Sequence, residues 1–400
     1  MEQLQERFRQ LLRRVDTTFV RYLYQDIDWS ARLIAITGAR GTGKTTMLLQ
    51  HIRMHEQELG DSVLYVTMDD LYFTTHNLVD LADLFCKHDG KLLVIDEVHK
   101  YATWSREIKN IYDFHPELHI IFTASSLLEI LRGEADLSRR ASIYTLYGLS
   151  FREFLEYDKG IKLPRMTIHD IFGSSSRHDM EEAINSQLRP LPAFKEYLTH
   201  GYFPFYKETG DRYATQLLQT IDIVLEVDLP ATQHIDYYSI GRIRKLFSLI
   251  AQQVPVIPNI SMLSKEVNVT RNSLLNYFAY LQKAQILLML EKDATGFKQL
   301  AKPEKIYLGN TNYAYALGRE STNIGNIRET FFFNQMQVRH TVTYSQHTDF
   351  LIDDTYSFEV GGKAKTSKQI SSLPNSYRVL DDIEYGHGNA LPLWIFGFTY

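Results

Sequence analysis

Apolar residues along this chain follow two rhythms, and their alternation predicts its first domain. Four short, nearly unbroken apolar runs at 33–37, 63–68, 92–95 and 119–123 have the length and composition of strands buried on both faces. Between them the apolar positions recur at helical spacing, as in Met47, Leu48, Leu49 and Ile52. That alternation predicts an α/β doubly wound parallel sheet over residues 1–150, preceded by one or two amphipathic helices within 4–24. From 151 to 240 the spacing is helical only. Phe154, Leu155, Phe194, Tyr197, Leu198, Leu217, Leu218, Ile221 and Leu225 recur at i, i+3 and i+4, which predicts a small helical bundle, with Gly173-Ser174-Ser175-Ser176 as a loop. Residues 241–315 read as two short helices joined at Asn268, with Leu263 and Val267 facing inward from the first and Leu274, Phe278 and Leu281 from the second. Apolar runs at 286–290 and 305–308 follow as a wing, giving the pattern of a winged helix-turn-helix. The final segment, 316–400, reads as a small α/β domain with a helix over 326–338 and strands at 350–352 and 357–360.

The predicted chemistry sits where the first and third strands end. Gly38-Ala39-Arg40-Gly41-Thr42-Gly43-Lys44-Thr45 fits Gly-x-x-x-x-Gly-Lys-Thr between a strand and a helix, the context of a phosphate-binding P-loop. Its glycines let backbone N–H groups converge on phosphate oxygens, Lys44 adds a cation, and Thr45 supplies a hydroxyl to Mg²⁺. Thr46 completes the cradle. Leu92-Leu93-Val94-Ile95 then leads into Asp96-Glu97, a Walker B pattern in which Asp96 holds Mg²⁺ through water and Glu97 orients or deprotonates an attacking water. ATP and Mg²⁺ are the ligands this pairing implies, with the bundle at 151–240 as a lid over the nucleotide. The strand at 63–68 ends in Asp69-Asp70, a pair expected as turn formers more than catalysts. Thr123, Ser125 and Ser126 end the fourth strand, either to sense the terminal phosphate or to cap a helix starting at Leu127.

Composition narrows the setting. With 400 residues, 44% hydrophobic and 23% charged, the chain fits an ordinary soluble protein of two or three domains. A single cysteine, Cys86, excludes an intrachain disulfide or a cysteine-based zinc site and suits a reducing compartment. The first residues lack a signal pattern, and the longest apolar run, 391–398, is too short to span a bilayer, so a cytoplasmic protein without a membrane segment is expected. A net charge of −5 argues against a general nucleic-acid binder. Locally the balance reverses: residues 240–298 hold Arg242, Arg244, Lys245, Lys265, Arg271, Lys283, Lys292 and Lys298 against Glu266, Glu291 and Asp293. DNA bound there would face Thr270, Arg271, Asn272 and Asn276 at the start of the second helix. A packing or subunit-contact role for the same module is the alternative.

These motifs, with Ile95-Asp96-Glu97-Val98-His99-Lys100, Trp104, Phe122-Thr123-Ala124-Ser125-Ser126 and the stretch from Arg140 to Phe154, resemble AAA-type prokaryotic ATPases that carry a C-terminal domain of unknown function. The resemblance extends to His200-Gly201-Tyr202-Phe203-Pro204 and to Lys305-Ile306-Tyr307-Leu308-Gly309-Asn310-Thr311, where Asn310 replaces the usual Asp. It implies that Arg140, preceded by Arg139 in place of a glycine, is the family arginine acting on the terminal phosphate, in cis or from a neighbouring subunit. The bland alternative is a surface arginine on a loop before the strand at 143–146. It also implies a nuclease-like C-terminal core in which Glu329, Asp349 and Glu359 converge. Gly361 stands where that core has lysine, so a decayed site is expected, and Lys363 is the residue placed to compensate. The reading that follows is a Mg²⁺-dependent ATPase acting as a conformational switch; an ATP-gated DNA nuclease and a nucleotide-regulated DNA-binding protein are the alternatives. DNA, an unidentified protein partner and an oligomer are the associations it leaves open.

Overall fold

The structure, a computed structural model, describes residues 1–125, 137, 139–233, 235–292, 302–318, 323–366, 370 and 373–400. Five strands, β1 (Leu33–Gly38), β2 (Val63–Thr67), β3 (Leu92–Asp96), β4 (His119–Ser125) and β5 (Ser142–Thr145), form a parallel sheet in the order β2-β3-β4-β1-β5. Every residue of β1 and β3 is buried, which is why these strands read as unbroken apolar runs. Helices Lys44–Met54, Leu78–Lys87 and Trp104–Phe114 make the crossovers, and Asn77 starts the second by accepting a hydrogen bond from the Asp80 N–H. The N-terminal region forms one helix, Glu2–Leu12, whose Leu4, Phe8 and Leu12 are buried, and a 3₁₀ turn at Tyr22–Gln25. In the register Gly38 pairs with Ser125, and Thr67 with Asp96. The carboxyl ends of β1 to β4 therefore share one edge, where α/β sheets bind ligands.

This sheet belongs to a compact unit of residues 1–147 that also includes 226–235. That is a departure from the expected lid at 151–240: within it, residues 226–235 fold with the sheet, and helix Leu229–Gln233 packs on the 3₁₀ turn Val98–Lys100 that follows β3. A π-helical stretch, Val224–Asp228, leads into it.

The second unit holds residues 148–225 and 236–400. Its helical part is built on aromatic packing, with Phe151, Phe154, Phe194, Tyr197 and Phe331 in contact and ring centroids 4.7 Å apart for Phe194 and Phe331. Residues 174–176, expected as a loop, begin helix Ser174–Asn185, which is held by the buried face of Arg177, Met180, Glu181 and Ile184. Helices Ile260–Val267 and Arg271–Lys283 flank Asn268, which takes the left-handed conformation at φ +55°. With the antiparallel hairpin β6 (Leu287–Leu290) and β7 (Lys305–Leu308), they have the element order of a winged helix-turn-helix. A mixed sheet in the order β12-β11-β10-β9-β8 ends the chain: β8 (Val342–Thr343), β9 (Phe350–Ile352), β10 (Tyr356–Gly361), β11 (Ser376–Leu380) and β12 (Ala390–Pro392), with helix Ile324–Met336 packed on β10.

Candidate active site

The loop after β1 is shaped by two glycines. A Cβ on Gly38 would lie 2.3 Å from the Leu146 carbonyl oxygen, so only glycine admits the close approach of the chain leaving β5. Gly43, at φ +93°, starts helix Lys44–Met54 in a conformation that side chains rarely adopt. The opening N–H groups of that helix, and its dipole, are what an anion meets. Thr42 Oγ1 donates to the Ala39 carbonyl at 2.9 Å. Arg21, buried, braces the loop by donating to the Thr42 carbonyl and, at 2.8 Å, to that of Tyr147. Lys44 is buried and donates to the carbonyls of Gly38 (2.9 Å) and Ala39 (3.1 Å). Burial lowers its pKa, while the nearby Glu97, Asp96 and Asp228 oppose that shift. Gly41, Thr46 and Arg40 are the more accessible members of the segment.

Asp96 ends β3 as a buried acceptor, bound by Thr45 Oγ1 at 2.7 Å, Tyr65 hydroxyl at 2.8 Å and the Thr123 hydroxyl. The Thr45 hydroxyl and Asp96 carboxylate are thus already adjacent, and they are hard oxygen donors of the kind Mg²⁺ takes. Glu97 follows in the left-handed conformation at φ +57°, with its N–H donated to Thr123 Oγ1 at 2.9 Å. Such backbone conformations cost energy in a residue with a side chain and cluster at functional sites. Its Oε2 lies 3.4 Å from His99 Nε2 and 3.8 Å from Lys100 Nζ. Ser125 meets the site through its backbone N–H, which donates to His99 Nδ1 at 3.2 Å. Ser126 and the helix expected from Leu127 lie outside the described residues. Asp69 pairs with Lys100, and Asp70 caps the turn Leu71–Thr74 while binding Arg7 at 2.5 Å, so both acids serve the structure.

Arg140 is not brought to this edge. It precedes β5, whose first residue pairs with Ile34 near the start of β1, and its guanidinium lies 3.3 Å from Asp113 near the end of helix Trp104–Phe114. The length of β5 separates it from the P-loop of its own chain, so of the two roles expected of it, in cis or from a neighbouring subunit, the cis one does not fit; Arg139 shares the same turn. Asp228 does reach the edge. Its side chain is 4% exposed, 3.4 Å from Arg40 Nη1, and close enough to affect Lys44 and His99 electrostatically. Sequence reading missed Arg21 and Asp228, because nothing local marks residues recruited from so far along the chain; His99 stood in plain view beside the acidic pair.

The C-terminal carboxylates only partly converge. Asp349 Oδ2 accepts from the Val360 N–H at 2.8 Å and lies 3.2 Å from Lys365 Nζ, which is 2.6 Å from the buried Glu359. Burial raises the Glu359 pKa, and Lys365 offsets part of that. Glu329 is held elsewhere, by Lys305 Nζ at 2.6 Å and the Tyr307 hydroxyl at 2.9 Å. Lys363, proposed as the compensating cation, is exposed. Lys365 takes that place because β10 ends at Gly361, where a Cβ would lie 2.2 Å from Lys365 Cδ. Among the described residues no group of three or more His, Cys, Asp or Glu side chains is arranged to hold a metal ion.

Strand order, P-loop and acidic pair are those of the P-loop nucleoside-triphosphatase fold. Residues 30–155 match a family described as an AAA domain, and residues 191–323 match a Domain of unknown function (DUF8612). An uncharacterized protein of Methanocaldococcus jannaschii, MJ1637, is 26% identical over 286 residues, 68% of this chain and 60% of that protein. The chain thus spans less than two thirds of that relative's length. Similar solved structures include AMPPCP-bound DnaA from Aquifex aeolicus, at 14% identity and a TM-score of 0.29, covering 65% of this chain and 84% of that one. The signal transduction ATPase PH0952 from Pyrococcus horikoshii, a STAND protein with a tetratricopeptide repeat sensor, has 12% identity and a TM-score of 0.27, covering 77% and 43%. Among the described residues no helix is long and apolar enough to cross a membrane.

Proposed function

We propose that this chain binds ATP with Mg²⁺ and hydrolyses it, and that the reaction switches the conformation of its second unit. The observation that carries the reading is the Thr45–Asp96 hydrogen bond at 2.7 Å, with Glu97 next in sequence, beside a loop that presents Lys44. Thr45 and Asp96 are the residues that would hold Mg²⁺, which supplies charge neutralisation on the phosphates when bound. Lys44 leaves the Gly38 and Ala39 carbonyls to bind phosphate oxygens. Glu97 orients a water and accepts its proton. The switch reading is supported by residues 226–235, which fold with the ATPase unit while the chain on both sides belongs to the second unit. Asp228, beside Arg40, is therefore placed to respond to phosphate charge.

The test separates clamp from base. Lys44→Ala should lose ATP binding by calorimetry, whereas Glu97→Gln should bind ATP like the wild type and lose turnover by about 10²-fold or more. Undiminished ATP affinity in Lys44→Ala would sink the reading. A second role, DNA binding by the winged helix, is favoured by the exposure of Thr270, Arg271, Asn272 and Asn276 at the start of helix Arg271–Lys283.

A further inference from the structure

We propose that His99 is the positioning residue of Glu97: a neutral imidazole whose Nε2–H closes on the Glu97 carboxylate and holds it toward the attacking water. The inference rests on the ATPase reading and adds to it a residue that the P-loop and the acidic pair do not include.

Three observations converge on it. The His99 side chain is 2% exposed, in the turn that immediately follows the acidic pair. Its Nδ1 lies 3.2 Å from the Ser125 backbone nitrogen. A backbone N–H can only donate, so Nδ1 carries the lone pair and the neutral ring carries its proton on Nε2. That Nε2 is buried and has no hydrogen-bond partner among the described residues, and Glu97 Oε2 stands 3.4 Å away. A buried donor without an acceptor is costly and calls for an explanation, and a small rotation of Glu97 would satisfy it. The ring is thus oriented on one side by a fixed donor and aimed on the other at a carboxylate base, the arrangement by which a third group orients catalytic pairs.

Its surroundings keep the ring neutral. Burial pushes its pKa down to about 4; Asp228 opposes that shift, and Lys44, Lys100 and Arg40 add to it. A protonated Nε2 also makes His99 a donor to a carboxylate and not a metal ligand. The end of β4 governs both partners, since Thr123 Oγ1 accepts the Glu97 N–H while the Ser125 N–H fixes the His99 ring.

Turnover and ATP affinity of the full chain test the proposal in His99→Leu, His99→Gln, Glu97→Gln and His99→Leu/Glu97→Gln. His99→Leu should lower kcat by about 10- to 100-fold with ATP affinity unchanged within about twofold. His99→Gln, whose amide can accept from Ser125 and donate to Glu97, should recover most of the loss. In the Glu97→Gln background the Leu substitution should cost little more, because the two residues act as one unit. Wild-type kcat in His99→Leu, a loss confined to ATP affinity, no recovery with Gln, or full additivity would each overturn it. A readout free of turnover and of folding in the Leu variant is ¹⁵N NMR of the His99 ring with AMPPCP bound. Nε2 should be the protonated nitrogen, and its resonance should shift in Glu97→Gln. A ring protonated on Nδ1, or one indifferent to Glu97→Gln, overturns the proposal. A wild type that binds ATP without turning it over would sink the ATPase reading instead, and the ring measurement would then decide His99 alone.

Discussion

His51 illustrates how a single buried base ties stability to pH. It lies in helix Lys44–Met54, its ring stacked on Trp29 at 3.8 Å and its Nδ1 3.2 Å from the Tyr24 hydroxyl. Burial, with a smaller push from His55, lowers its pKa from 6.5 to about 4. The folded state therefore resists protonation that the unfolded chain accepts. Above pH 6.5 neither state is protonated and nothing is lost; as pH falls toward 4 the unfolded state binds the extra proton and stability declines. The loss should approach ~3 kcal/mol at its limit. Urea unfolding at pH 7 and pH 4.5 should show a smaller decline for His51→Gln than for the wild type, and an identical decline would remove His51 as a source. At this scale, the P-loop and the acidic pair were legible because each is contiguous and local geometry fixes what it can do. Arg21 and Asp228 were not, because their meaning comes from partners far along the chain, Thr42 and Arg40 in turn; Lys365 was not, because it reaches Glu359 only where the strand has ended at Gly361.

At the scale of elements, burial on both faces made β1 to β4 readable, whereas β8 and β12 were missed because they are only two and three residues long, and β11 because its first three residues are only half-buried. The serines at 174–176 mimicked a loop, and the helix they open is fixed by buried residues further on. Motif resemblance leaves open what topology narrows. Arg140 matched a family position, yet a parallel β5 that begins beside Ile34 leaves the residue before it at the sheet edge opposite Gly38. Arg140→Ala should therefore leave ATP turnover per chain unchanged in dilute protein. Because its ion pair with Asp113 is partly exposed, stability should change by less than about 1 kcal/mol. Steady-state turnover across a dilution series checks both points. A loss of turnover in the variant that grows with protein concentration would mean that a second copy supplies the arginine.

For the whole molecule, the question is what a nucleotide-driven change would act upon, and the second unit offers two chemistries. Its pair of helices Ile260–Val267 and Arg271–Lys283 sits in a chain of net charge −5, so DNA binding there would depend on local cations. Lys265 and Arg271 are exposed there, and each substitution to Ala should weaken DNA binding and reduce its salt slope by about one unit; no salt-dependent binding at low ionic strength would leave the packing role. Phosphodiester cleavage is the other chemistry, and the carboxylate cluster argues against it. A metal nuclease needs carboxylates free to hold a divalent ion and a cation near the phosphorus. Here Lys365 is held by Glu359 at 2.6 Å, Asp349 at 3.2 Å and the Val360 carbonyl at 2.7 Å, so cation and carboxylates satisfy one another. Glu329, the third carboxylate, is bound to Lys305 and Tyr307. Purified protein with Mn²⁺ should cut neither plasmid nor single-stranded DNA above a Glu359→Ala control. Lys365→Met should instead be felt as lost stability, by up to about 3 kcal/mol, because it strands a buried carboxylate, while Lys363→Ala should stay within about 0.5 kcal/mol of the wild type. Cleavage abolished by both Glu359→Ala and Lys365→Met would reverse this conclusion and make the second unit a nuclease under nucleotide control.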